Sequence, residues 1–144
     1  MRGSGQRLVV SIFIFTILRL IKNLQNHHPL QLKDSLYKIE SQNGGGQFDI
    51  LMLEGHPVYE GHFPGQPITP GVLTLAMVRE CAELLTQKPL SYSAIKSCRF
   101  VAMVKPGDRL KLDIELSSTD CGYQIKANIT DHDGNSRLQL EGCL

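Results

Sequence analysis

His62 is the residue of this 144-residue chain best placed to do chemistry. It lies in the stretch Gly61-His62-Phe63-Pro64-Gly65-Gln66-Pro67-Ile68-Thr69-Pro70-Gly71-Val72-Leu73. Three prolines and three glycines in thirteen residues exclude the interior of a helix or strand. The stretch reads as a rigid loop, stiffened by Pro64 and Pro67, that ends where a helix starts. Thr69 suits the N-cap of that helix and Pro70 its first helical position. A loop histidine can titrate near neutral pH. A helix start offers unpaired backbone N–H groups backed by the positive end of the helix dipole. Together they suit a substrate whose carbonyl gains negative charge during reaction. As a residue type alone, the histidine could equally stiffen the loop by hydrogen bonding.

The elements around the loop follow from pattern. Val72 to Leu85 is apolar around most of a helical circumference, interrupted by Thr74, Arg79, Glu80 and Glu83, so the helix is expected to be buried on most sides. Pro89 stops it. Before the loop, residues 32–39 form a short helical or extended lead-in. Residues 41–46 form a flexible turn, and Gln47 to Leu53 a strand. After the helix, Ala94 to Val104 is a long strand candidate and Pro106-Gly107-Asp108 a turn. Arg109 to Ser117 alternates, with Leu110, Leu112, Ile114 and Leu116 on one face. Tyr123, Ile125, Ala127 and Ile129 repeat that alternation. Asp131-His132-Asp133-Gly134 is a hairpin signal, and Leu138 and Leu140 mark a last strand. The class is α+β: one buried helix followed by an antiparallel meander.

Length fits one domain, and a formal net charge of +1 with dispersed lysines and arginines and no Trp gives no nucleic-acid signature. Cys81, Cys98, Cys121 and Cys143 show neither CxxC nor zinc spacing and read as free thiols of a reducing compartment. Leu8 to Leu18 is free of charge, but its eleven residues fall short of the roughly 20 that span a bilayer, and no small-residue cleavage site follows. Residues 1–30 are read as an extension outside the domain, with membrane contact through residues 8–21 as an alternative, and residues 31–144 as the domain. His27 and His28 read as solvent-exposed.

The stretch from Gly61 to Leu73 resembles, almost without a gap, the signature of the 3-hydroxyacyl-[acyl-carrier-protein] dehydratases, and residues 33–144 follow that family in element order. The resemblance implies a hotdog fold, a bent antiparallel sheet wrapped round one long helix. It implies a homodimer or dimer-based oligomer with sites at the subunit interface. The substrate would arrive on the phosphopantetheine of acyl carrier protein, in the cytoplasm, and no metal or cofactor is implied. His62 would remove the C2 proton of a 3-hydroxyacyl thioester. The Gly71 N–H would bind the carbonyl oxygen, where the absence of a Cβ permits close approach. Phe63, Pro70 and Val72 would contact substrate. One departure stands out: Ala76 occupies the helix position where the family carries its acid. Glu80, one turn on, lies on roughly the same face and either replaces that acid or makes a structural ion pair. Glu83 is expected to be exposed near the helix end. His56 and His132 read as solvated, and Arg99 and Lys105 as modest candidates for touching an acidic carrier. Two other functions stay open on this sequence: an acyl-thioester hydrolase on the same fold, and a non-catalytic acyl- or carrier-binding subunit, which Ala76 favours.

Overall fold

The computed structural model describes residues 31–61, 65 and 67–144. The extension at 1–30, its apolar stretch at 8–21, and the signature residues His62 and Phe63 lie outside the described residues. The described residues open with a tight turn in which the Leu36 N–H bonds the Leu32 carbonyl at 2.7 Å. The first hairpin then pairs β1 (Tyr37–Asn43) with β2 (Gln47–Met52). Its turn holds three glycines for a specific reason at Gly46, whose φ is +106° and whose missing Cβ would collide with the Ile114 carbonyl oxygen. A single turn of helix, α1 (Val58–Gly61), precedes the signature loop, and the long helix α2 (Gly71–Thr86) follows it. Four strands complete the chain: β3 (Ala94–Phe100), β4 (Arg109–Thr119), β5 (Gly122–Asp131) and β6 (Ser136–Cys143).

The six strands form one sheet in the order β1-β2-β4-β5-β6-β3, with every neighbour antiparallel. The expected meander is β4-β5-β6. The strand that precedes it in sequence crosses to the far edge and pairs with β6, with Phe100 opposite Leu138 and Ala94 opposite Cys143. Alternation along the strands sends one row of side chains inward. Phe48, Ile50 and Met52 from β2 are buried, as are Leu110, Leu112 and Ile114 from β4, Ile125, Ala127 and Ile129 from β5, and Leu138 and Leu140 from β6. Helix α2 meets that face with Leu73, Leu75, Met77, Val78, Cys81 and Ala82. Tyr92, in the strap between helix and sheet, is fully buried and donates its hydroxyl to the Leu75 carbonyl at 2.8 Å. A helix apolar nearly all round thus lies enclosed by a bent sheet, the hotdog arrangement.

Three expectations change in detail. The N-cap of α2 is Pro70 (φ −58°, ψ 139°), with no side-chain cap bond; Thr69 lies one residue outside, its hydroxyl turned elsewhere. The helix ends at Gln87 in a left-handed conformation (φ 56°), its N–H bonded to the Glu83 carbonyl, two residues before Pro89. The strand expected to run to Val104 stops at Phe100, because the next amides, Val101 and Ala102, both turn to the Arg137 carbonyl.

The four cysteines are free thiols. Burial pushes Cys81 and Cys98 up to about 12, so at pH 8 only about one in ten thousand of either is thiolate. A thiol-reactive disulfide reagent at pH 8 is expected to label exposed Cys121 rapidly in the native protein and to reach Cys81 and Cys98 only after unfolding. Rapid native labelling of the two buried thiols would show that the core opens on that timescale.

Candidate active site

The N-terminus of α2 opens onto a groove of about 380 Å³. Ile68, Thr69, Gly71 and Thr74 form one side, and residues 100–104 with Arg137 and Leu138 form the other. The lining is mostly apolar, with hydroxyls from Thr69 and Thr74 at the helix end. Gly71 sits directly against Phe100: a Cβ on Gly71 would lie 2.7 Å from the Phe100 ring. The need for glycine at the helix start therefore has a local cause, since the sheet edge and the helix terminus approach to contact distance here. Pro70 and Val72 flank Gly71 and are both half-buried.

Both ends of the signature loop are anchored among described residues. Tyr59, on α1, shares a 2.8 Å hydrogen bond with the Thr69 hydroxyl, which is where the side chain expected to cap α2 is used. The Thr69 N–H donates to the Val104 carbonyl at 2.8 Å. These bonds hold residues 59 and 69 across the base of the loop that carries His62. Burial raises the Tyr59 phenol above its usual range, partly offset by the Thr69 bond, so it is a neutral hydrogen-bonding group at ordinary pH. His56 accepts the Val58 N–H on Nδ1 at 3.0 Å and meets the Tyr59 ring edge-on at 6.5 Å. It caps α1 and is not simply solvated. His132 is exposed beside Asp133, and Arg99 and Lys105 are exposed.

Glu80 does not line this groove. Its Oε2 accepts the Leu32 N–H at 2.8 Å, and its Oε1 accepts the Lys33 N–H at 3.0 Å and the Tyr37 hydroxyl at 2.8 Å. Arg79 adds a cation at 3.9 Å. The carboxylate faces a separate pocket of about 470 Å³ bordered by Lys33, Arg79 and Glu83. In this geometry Glu80 fastens the chain before β1 onto the middle of α2. Arg79 is itself buried and bonds Glu83 at 2.7 Å, and Glu83 accepts the Leu90 N–H at 2.8 Å, closing the loop after α2. Ala76 is half-buried, and among the described residues no carboxylate lines the groove. Among the described residues there is also no cluster of three or more His, Cys, Asp or Glu able to hold a metal ion, and no helix long and apolar enough to cross a membrane.

Sequence reasoning missed Arg137, Tyr59 and the wall at residues 100–104. Arg137 has no local signature, because its partners lie at positions 103, 108 and 131.

Residues 38–136 match the model of the ApeI-like family, described as ApeI dehydratase. The chain belongs to this family. Relatives of this ApeI-like chain include a 3-hydroxyacyl-[acyl-carrier-protein] dehydratase FabZ of Fusobacterium nucleatum, 31% identical, with 77% of this chain and 82% of the relative covered. The corresponding enzyme of Halalkalibacterium halodurans is 34% identical, with coverage of 72% and 78%. Among solved structures, the dehydratase heterocomplex ApeI:P from Xenorhabdus doucetiae superposes with a TM-score of 0.58 at 23% identity, covering 72% of this chain and 90% of that one. A hypothetical thioesterase of Streptococcus pneumoniae, solved with coenzyme A, gives 0.50 at 16% identity, with coverage of 74% and 81%. These two likenesses establish the hotdog fold.

Two substitutions separate the roles of Glu80 and Gly71. Glu80→Ala strands two backbone N–H groups and the Tyr37 hydroxyl, and is expected to cost about 3 kcal/mol of stability, read by denaturant unfolding. A variant as stable as the wild type would remove the anchoring role. Gly71→Ala is expected to keep the melting temperature while lowering turnover by at least about tenfold, since its Cβ displaces the Phe100 ring from the helix start.

Proposed function

We propose that this chain eliminates water from (3R)-3-hydroxyacyl thioesters carried on the phosphopantetheine of acyl carrier protein, giving trans-2-enoyl thioesters for fatty-acid or related polyene synthesis in the cytoplasm. The observation that carries the reading is the start of α2. Helix α2 starts at Gly71 with no side-chain cap bond, and Gly71 lines a mostly apolar groove directly after the stretch that carries His62 in sequence. In this reading the thioester carbonyl accepts from the Gly71 N–H, and the enolate charge that develops is stabilised there. His62 takes the C2 proton and hydroxide leaves from C3. Phe63, Pro70 and Val72 hold the acyl thioester against the helix start. The reading calls on no metal or cofactor beyond the carrier arm.

The leaving hydroxide needs a proton, and among the described residues of one chain no carboxylate lines the groove to give it. We infer that a second hotdog subunit completes the site. Beyond β6, β3 has no strand neighbour among the described residues, and exposed Val101 and Met103 follow directly from it. An exposed strand edge with apolar residues beside it is a template for pairing. In a homodimer the acid must come from some residue other than Ala76. In a hetero pair, as in the dehydratase heterocomplex that shares this fold, the partner would supply the carboxylate directly. Ala76 also supports a second reading, a subunit that binds acyl carrier substrates without turning them over.

Incubation of the purified protein, alone and with a candidate partner subunit, with 3-hydroxyacyl carrier protein should yield the dehydrated thioester by mass spectrometry. His62→Ala should abolish that product while leaving the melting temperature within the wild-type range. Product formation by His62→Ala at the wild-type rate would eliminate the mechanism. Release of free acid would favour a hydrolase. Carrier binding with no product in any pairing would favour the non-catalytic subunit.

A further inference from the structure

Arg137 is tied to the groove wall through both its main chain and its guanidinium. It sits at an irregularity in β6. Leu138 pairs with Ile129 and Ser136 with Thr130, so Arg137 is the extra residue between two consecutive positions of β5. Such bulges redirect a side chain and recur beside functional sites. Here the redirected guanidinium, 19% exposed, reaches three segments at once. Nη1 donates to the Met103 carbonyl at 2.5 Å and to Asp108 Oδ2 at 2.9 Å, and the other edge of the fork meets Asp131 Oδ2 at 3.5 Å. The Arg137 backbone carbonyl accepts the Val101 N–H at 2.9 Å and the Ala102 N–H at 3.4 Å. Residues 101–103 therefore hang from one residue, by its main chain on one side and its guanidinium on the other.

Both carboxylates are themselves held. Asp108 Oδ2 also accepts the Lys105 N–H at 2.9 Å, and Asp131 Oδ1 accepts the N–H groups of Asn135 and Asp133 at 2.9 and 3.0 Å. Those backbone bonds, with Arg137 adding to them, keep the Asp131 carboxyl below its usual range, so it is ionised at neutral pH. The segment so fixed is the apolar wall of the groove opposite the helix start, and it continues through the Val104 carbonyl to the Thr69 N–H. Segment 101–104 forms no strand, and Val101 and Met103 are half exposed or more.

We propose that Arg137 is a positioning residue that sets this wall and thereby determines how well the groove accepts an extended apolar acyl chain. The proposal rests on the dehydratase reading for the identity of the substrate, but its physical content is chain-length selectivity of binding. Lysine cannot replace arginine here, since an ammonium on a flexible stem cannot serve a carbonyl and two carboxylates in fixed directions.

The test compares wild type, Arg137→Lys and Arg137→Gln in the full chain, paired with whatever subunit it needs for turnover. Binding of the unreactive saturated probes butyryl-pantetheine and decanoyl-pantetheine is measured by calorimetry. KM and kcat are measured separately on four- and ten-carbon 3-hydroxyacyl carrier substrates. For Arg137→Gln, the preference for the ten-carbon over the four-carbon probe should fall about tenfold. KM for the longer substrate should rise more than kcat falls, and Arg137→Lys should lie between the two. A lowered melting temperature with the wild-type chain-length preference intact would assign Arg137 to folding alone and overturn the proposal. If Arg137→Gln does not fold, Arg137→Lys with a wild-type preference overturns it equally. Wild type that binds both probes with length discrimination but never dehydrates would overturn the dehydratase reading and leave the role of Arg137 standing. Wild type that binds neither would overturn both.

Discussion

Helix α2 must be kept out of water. Eight of its sixteen residues are buried, and they point in most directions around the axis. A helix of that kind cannot lie on a surface; it has to be enclosed. The inward rows of β2, β4, β5 and β6 supply the enclosure, and the sheet must bend to bring them into reach. The N-terminal end of the helix opens onto the mostly apolar groove formed with residues 100–104.

The same enclosure explains the treatment of charge. Arg79, Glu80 and Glu83 interrupt the apolar helix, and isolated buried charges would be costly. Each is answered. Arg79 bonds Glu83, Glu83 takes the Leu90 amide, and Glu80 takes two amides and the Tyr37 hydroxyl. The polar residues of the helix thus tie down the segments that lead into β1 and out of α2. Burial beside this cluster pushes the Tyr37 phenol far above its usual range, so it stays a donor to Glu80 at any physiological pH.

On the other side of the molecule, polar groups shape the groove. Tyr59 with Thr69, Thr69 with Val104, and Arg137 with Met103 form a connected series that runs from α1 past the helix start to β6. Helix α1, the start of α2 and the apolar wall are therefore coupled through fixed hydrogen bonds. The geometry of the groove depends on residues from both halves of the chain.

Much of this protein was legible in its sequence because the determining signals are local. The period-two alternation of Leu110, Leu112 and Ile114 and of Ile125, Ala127 and Ile129 located β4 and β5 and their buried faces. The proline- and glycine-rich stretch located the loop and helix start, and its thirteen residues carried the family resemblance. The helix at 71–86 followed from one apolar run. What only the tertiary structure decided depends on partners far apart in the chain. Nothing near Glu80 in sequence reveals that the amides of residues 32 and 33 will fill its oxygens. β3 stops at Phe100 because its next two amides find the carbonyl of residue 137, although the apolar pattern runs on to Val104. Thr69 has the side chain of an N-cap, yet its hydroxyl is drawn to Tyr59 and the cap falls to Pro70. In each case a local preference worth about 1 kcal/mol yielded to a nonlocal bond that the closed fold made available.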